Sequence, residues 1–268
     1  MSKEIVVRRV AIVPTTKCSL NCKHCGEFLF GPVVRKDVAF EDVCADIDAC
    51  FNLIDHVTWF QFVGGEVYVY KHFADLLNYA QKYRDRFDKL IIETNATVAP
   101  DPAEREAMMA YGKDLFVFIS NYGELSRAYN DFVEFFDEAG IEYDSKKYYG
   151  EHQYFNGWID NTNPKHLNEP GDVLEVNAKN CPQSRIRNIH VYDGQLHRCS
   201  NSLFMTNMGL FPPKAGDFVD LRDKNVSREE KREIISKMYD HARESCKYCK
   251  QKYMDILPRV PAAQQMER

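Results

Sequence analysis

The sequence predicts an α/β fold built on a parallel sheet, followed by a cysteine-bearing extension. Three observations carry that expectation. As far as Tyr149, short apolar runs alternate with stretches of helical periodicity, the pattern of parallel strands covered by helices. The conspicuous polar residues fall just after those runs, at the carboxyl ends of strands, where such sheets bind ligands. Past Gly150 the alternation stops, and four of the nine cysteines lie in the last third of the chain.

Taken in order, Arg8 to Thr15 reads as a strand that leads into Cys18, Cys22 and Cys25. Phe40, Val43, Cys44, Ile47, Phe51 and Ile54 have helical spacing. Val57 to Val63 is a second strand, ending in Gly64-Gly65-Glu66, and Phe73, Leu76, Leu77 and Ala80 mark a helix. Lys89 to Glu93 is a third strand, ending in Thr94-Asn95, and Pro100 to Tyr111 is a helix with an acidic first turn. Leu115 to Ile119 runs into Ser120-Asn121-Tyr122-Gly123. Leu125 to Ala139 is helical, with Gly140 as its C-terminal stop, and Ile141 to Tyr149 is a fifth strand. Glu151 to Val173 reads as a long ordered loop rich in Asn, Gly, Pro and aromatic residues. Arg187 to Tyr192 and Gln195 to Arg198 form a hairpin around Asp193-Gly194. Val226 to Ser245 is a charged helix leading to Cys246 and Cys249, and Pro258 to Arg268 is a mobile tail.

Composition excludes several classes. At 268 residues and 44% hydrophobic content, the chain can bury a sizeable core. A net charge of −5 argues against nucleic acid as the main partner. No apolar run reaches membrane-spanning length, and Met1 to Ile5 has no signal-peptide pattern. A cytosolic protein is expected, and an odd number of thiols in a reducing compartment points to metal clusters rather than disulfides.

The triplet Cys18, Cys22, Cys25 is spaced C-x3-C-x2-C. Three thiolates on one tight loop can hold three corners of a cubic iron–sulfur cluster and leave the fourth iron open to a ligand. Structural zinc normally takes four ligands in separated pairs, which this loop lacks. In Gly64-Gly65-Glu66, glycines let the chain turn beside a ligand, and a carboxylate answers an ammonium. Cys181 and Cys199 bracket Gly194 as C-x12-G-x4-C, and Cys246 and Cys249 form C-x2-C. Four cysteines in two pairs suit either an iron–sulfur cluster or tetrahedral zinc. Cys44 sits on an apolar helix face and reads as a buried thiol, and core packing is the expected place of Cys50 as well.

The triplet resembles the cluster loop of the radical S-adenosylmethionine (SAM) superfamily, with His24 where an aromatic residue is usual. Gly64-Gly65-Glu66 resembles that superfamily's element for the SAM amino group. The resemblance implies a partial (β/α)6 TIM-like barrel over residues 1–170, with Thr94, Asn95, Ser120 and Asn121 as further SAM contacts. The later cysteines resemble the twitch domain, the shorter relative of the SPASM domain, over residues 171–257, with 258–268 as a tail. Cys181, Cys199, Cys246 and Cys249 would then hold one fully ligated auxiliary [4Fe-4S] cluster, for two [4Fe-4S] clusters in all.

The resemblance further implies that a reductant such as flavodoxin or ferredoxin starts the reaction. SAM is cleaved to a 5′-deoxyadenosyl radical that takes a hydrogen atom from the substrate, and the auxiliary cluster accepts an electron. The substrate expected is a sugar, nucleotide-sugar or cyclitol alcohol. Tyr154 and Trp158, with Glu151, His152, Gln153, Asn156 and Asp160, supply a recognition loop, and Arg185, Arg187, His190 and Arg198 further candidates. The alternatives are a peptide-modifying enzyme (thioether formation or epimerisation), for which Met1 to Val7 leaves no recognition domain, and a non-catalytic electron-transfer or binding protein.

Overall fold

The computed structural model describes residues 4–30, 34–155, 158–214 and 216–267. Its frame is a single eight-stranded sheet in the order β5-β4-β3-β2-β1-β6-β7-β8. The first five strands are β1 Val6–Ile12, β2 His56–Phe62, β3 Phe87–Thr94, β4 Leu115–Asn121 and β5 Glu142–Lys147. Between them run α1 Phe40–Leu53, α2 Phe73–Ala80, α3 Pro102–Met109 and α4 Tyr129–Ala139. All five strands pair in parallel with their sequence neighbours. Gly140 closes α4 in the left-handed region, at φ 65°, a conformation that glycine adopts without strain.

The extension contributes α5 Gly171–Asn180, α6 Pro182–Arg185, β6 Asn188–Tyr192, β7 Gln195–His197, α7 Ser200–Asn207, β8 Phe218–Asp220 and α8 Arg228–Lys237. The sixth parallel strand is β6, the first arm of the hairpin, and it pairs with the free edge of β1 rather than with β5. β7 and β8 then continue the sheet antiparallel. Residues before and after 170 therefore share one sheet.

Strand periodicity explains the core. Val10, Ile12, Phe60, Phe62, Leu90 and Ile92 lie on the helix-covered face and are essentially inaccessible. Their alternates Arg9, Gln61 and Glu93 meet on the other face. Gln61 Nε2 donates to Glu93 Oε2 at 2.9 Å, and Arg9 Nη2 lies 3.6 Å from the same oxygen. Among the described residues no helix is long and apolar enough to cross a membrane.

Two expectations are corrected. The helix expected over 226–245 ends at Lys237, because the Arg243 guanidinium bonds the carbonyls of Lys237 and Met238 and turns the chain toward Cys246. The tail expected to be mobile is ordered from Pro258 to Glu267. Its backbone bonds to Trp158, Gln153, Asn21 and Lys23 fix it across the cysteine loop. Helices α5 and α7 were not foreseen, since α5 lacks an N-terminal cap and α7 has no amphipathic stripe.

α8 docks on the turn between α1 and β2 through Arg232, whose side chain is only 6% exposed. It donates to Leu53 O at 2.8 Å and to Asp55 Oδ2 at 2.7 Å. Replacing Arg232 by Met leaves Leu53 O without its donor and Asp55, itself 34% exposed, without its ion pair, and should cost roughly 1–3 kcal/mol. Thermal unfolding should show it as a lower Tm, at about 2–4 °C per kcal/mol for a chain of this size. An unchanged Tm would show that the pair does not hold α8.

Candidate functional site

The loop after β1 carries Cys18, Cys22 and Cys25 on one wall of a cavity of about 260 Å3. Gly64, Gly65, Thr94, Asn95 and Ser120 line the same cavity, so the carboxyl ends of β1 to β4 converge as expected. The approach of the β2 loop to the cysteine loop is close. Gly65 N donates to Thr15 O and Glu66 N to Lys17 O, at 3.0 and 2.9 Å. A Cβ on Gly65 would fall 1.8 Å from Lys17 O, and one on Gly64 2.4 Å from Thr15 O, at φ 149°. Only glycine fits at either position.

Glu66 and Asn121 lie behind the cavity. The Glu66 carboxylate is fully buried and accepts from Thr94 Oγ1 at 2.8 Å, Asn95 N at 2.8 Å and Tyr68 N at 3.4 Å. Burial pushes its pKa up to about 7, against the pull of those donors. The side chain expected to answer an ammonium thus braces two strand ends. Asn121 Oδ1 caps its own turn by accepting from Gly123 N.

Each thiol of the triplet meets a donor. Asn95 Nδ2 reaches Cys18 Sγ at 3.4 Å, Gln265 Nε2 reaches Cys22 Sγ at 3.3 Å, and backbone N–H groups of Leu29 and Glu27 face Cys25. Burial raises the thiols, to about 11 for Cys22 and about 12 for Cys25. Bare, they would stay protonated at neutral pH, and a metal must displace those protons.

The extension gathers its own four thiols. Cys181 lies at the break between α5 and α6, and Cys199 caps the N-terminus of α7. Burial raises Cys249, to about 11, and the neighbouring Cys246 and Cys181 add to it; Cys199 is raised by burial, and by Cys249 and Cys246. Asn201 Nδ2 donates to Cys249 Sγ at 3.1 Å and Ser202 N to Cys199 Sγ at 3.4 Å. Among the described residues, no three His, Cys, Asp or Glu side chains converge closely enough to hold a single metal ion. Cys44 and Cys50 are buried in α1 and do not line the cavity.

Of the substrate candidates, Trp158 alone lines the cavity, stacked on Tyr148 at 5.3 Å, with Tyr122 stacked beyond it at 5.6 Å. Tyr154 points to solvent, 55% exposed. Arg185 and Arg187 line a separate recess beside Tyr239. They precede β6, which runs parallel to β1, so they fall at the amino end of the sheet, opposite the ligand face. His190 is buried within β6, and Arg198 stacks on Tyr239 and donates to His241 O. Asn156 lies outside the described residues.

Two cavity residues escaped the sequence reading, Glu27 and Glu93. Burial, and Glu93 beside it, push the Glu27 carboxyl up to about 8. Its Oε2 is buried without a hydrogen-bond partner, as is Trp158 Nε1. Position two residues after Cys25 was the one available signal for Glu27.

No family model matches the chain, and no curated protein sequence matches it. The fold is that of radical SAM enzymes. The structure of BtrN in complex with AdoMet and 2-DOIA aligns over 96% of this chain and 89% of that one, at TM-score 0.53 and 9% identity. Streptococcus suis SuiB bound to its precursor peptide SuiA aligns at TM-score 0.49 and 12% identity, over 88% of this chain and 65% of that one. The enzyme anSMEcpe with bound AdoMet gives 0.41 and 18%, over 51% of this chain and 42% of that one. The chain therefore spans less than half of anSMEcpe.

Gly65→Ala should push the two loops apart while leaving the sheet intact. Far-UV circular dichroism should be unchanged and iron incorporation at the triplet reduced; full incorporation would show that the loops tolerate separation. For Glu66 the folded pKa lies above the unfolded value, so the proton is held more tightly in the native state. Its contribution is full at low pH and is lost as pH rises through about 7. Glu66→Gln should therefore gain in Tm relative to the parent between pH 5.5 and 8, and a constant difference would refute the buried, proton-holding carboxyl.

Proposed function

We propose that this chain is a radical SAM oxidoreductase acting on the hydroxyl of a small polyhydroxylated ring, such as a sugar or cyclitol. The observation that carries the reading is the single cavity that presents three cysteine thiols, the Gly64-Gly65 backbone and an unsatisfied donor–acceptor pair. When bound, the cluster and SAM supply a 5′-deoxyadenosyl radical, and an auxiliary cluster supplies an electron acceptor. Cys18, Cys22 and Cys25 would hold the first cluster, and Cys181, Cys199, Cys246 and Cys249 the second.

The chain's own groups then bind, orient and shield. The Gly64 and Gly65 backbone can approach the SAM amino group because no side chain intervenes. Thr94, Asn95 and Ser120 offer polar contacts beside it, while Glu66 keeps Asn95 in place from behind. Tyr122 and Trp158, both backed by Tyr148, give the cavity an aromatic wall of the kind against which a ring packs. Trp158 Nε1 can donate to a ring oxygen, and Glu27 can accept from a hydroxyl, which satisfies both orphaned atoms. These walls keep water from the reacting carbon. BtrN, whose structure holds AdoMet and 2-DOIA, shares this fold.

Reconstituted protein with dithionite and SAM should form 5′-deoxyadenosine, and a substrate of this class should become a ketone. Cys246→Ala with Cys249→Ala should keep 5′-deoxyadenosine formation and lose the ketone, and Trp158→Ala should raise KM for the ring about tenfold or more, as expected for a lost stacking and hydrogen-bonding partner. Absence of 5′-deoxyadenosine from the parent would overturn the enzyme reading; turnover of a peptide in place of polyols would overturn the substrate class.

A further inference from the structure

The C-terminal segment runs from the aromatic loop to the cysteine loop and joins them. Val260 N donates to Trp158 O at 3.0 Å and Ala262 N to Gln153 O at 2.8 Å. Beyond it, Gln265 pairs with Cys22 as an antiparallel bridge. Lys23 N donates to Gln264 O at 2.7 Å and Met266 N to Asn21 O at 2.8 Å. The Gln265 side chain adds a second layer on the same two residues. Its Oε1 accepts from Asn21 N at 2.7 Å, while its Nε2 donates to Cys22 Sγ at 3.3 Å and to Ala263 O at 2.7 Å.

These contacts fix which end of the amide faces the thiol. A flipped amide would set an acceptor against both Cys22 Sγ and Ala263 O, and a donor against Asn21 N–H, and would lose all three bonds. Gln265 is exposed, yet its orientation is over-determined. Cys18 takes its donor from Asn95 and Cys25 from nearby backbone, so Gln265 is the side-chain donor for the remaining thiol.

We propose that Gln265 is a positioning residue for the cluster on the triplet. It would clamp Asn21 and Cys22 and raise the cluster's reduction potential through its N–H···S bond, since hydrogen bonds to the sulfurs of a cluster set that potential. The inference rests on the reading of Cys18, Cys22 and Cys25 as cluster ligands. Electron uptake at the site would then depend on a residue at the far end of the chain.

The test uses full-length reconstituted protein, with the triplet cluster recognised as the paramagnetic signal that changes when SAM is added. Gln265→Glu keeps an acceptor for Asn21 N and sets a carboxylate oxygen against the thiolate. At fixed solution potential, its ratio of reduced to oxidised triplet cluster should fall about tenfold, which for one electron is 59 mV. Gln265→Leu, neutral and without a donor, should fall in the same direction by less. The second cluster's signal should be unmoved in both. Loss of the triplet cluster alone from either variant, with the second signal intact, would equally support the clamp. An unchanged ratio in both variants, at parental iron content, would overturn the proposal. A parent that shows no SAM-sensitive signal would instead refute the underlying ligand assignment.

Discussion

The carboxylate of Glu66 holds strand ends that would otherwise be free to part. It takes Thr94 Oγ1 and Asn95 N on one side, while its own backbone N–H is held by Lys17 O on the other. Asn95 in turn reaches Cys18 Sγ, so the β1 loop, the β2 turn and the β3 end form one hydrogen-bonded unit around a buried acid. Leaving such a group without donors would cost several kcal/mol, so the donors and the acid require each other. Gly64 and Gly65 are the steric counterpart of the same constraint. The turn can reach Glu66's bonding position only because nothing projects toward Thr15 O and Lys17 O.

Much of this was legible in the sequence because it is local. The β-α alternation placed β1 to β5 and α1 to α4, and the positions of Cys18, Gly64, Thr94 and Ser120 after strands brought them to one cavity. What local pattern could not show was the direction of a side chain at a strand end. Glu66 reads as a ligand for an ammonium, yet it faces inward because Asn95 N and Thr94 Oγ1, which only the β2–β3 pairing brings near, need an acceptor. Arg185 and Arg187 lie in a recess apart from the cysteine cavity. Their place depends on β6 joining β1, a pairing of residues about as far apart as the sheet allows in sequence.

Short polar segments were the other blind spot. The C-terminal stretch has little apolar content, and such termini are unordered unless tied down. Here the ties are backbone bonds to Trp158, Gln153, Asn21 and Lys23, which leave no imprint on composition. The same holds for Glu27, an acidic residue in an irregular loop, whose proximity to Glu93 and Arg9 follows from the path of the loop over the sheet. His24 Nδ1 approaches Asp160 Oδ1 to 3.5 Å without a hydrogen bond, so the C-terminal segment is what bonds the cysteine loop to the Trp158 loop.

The sheet order also bears on how the two thiol sets are separated. β6 runs parallel to β1, but β7 returns antiparallel, with His197 opposite His190. Cys18 leaves the carboxyl end of β1, whereas Cys181 precedes β6 and Cys199 follows β7, both toward the amino end of that strand pair. Cys181 and Cys199 thus lie toward the opposite end of neighbouring strands from Cys18, and hydrogen-bonded strands, not a linker, join them to it. A hinge between two separate domains would let their positions drift. A shared sheet does not, because sliding β6 along β1 by one residue would exchange the buried apolar Ile189 and Val191 with the buried polar Asn188 and His190 across its two faces.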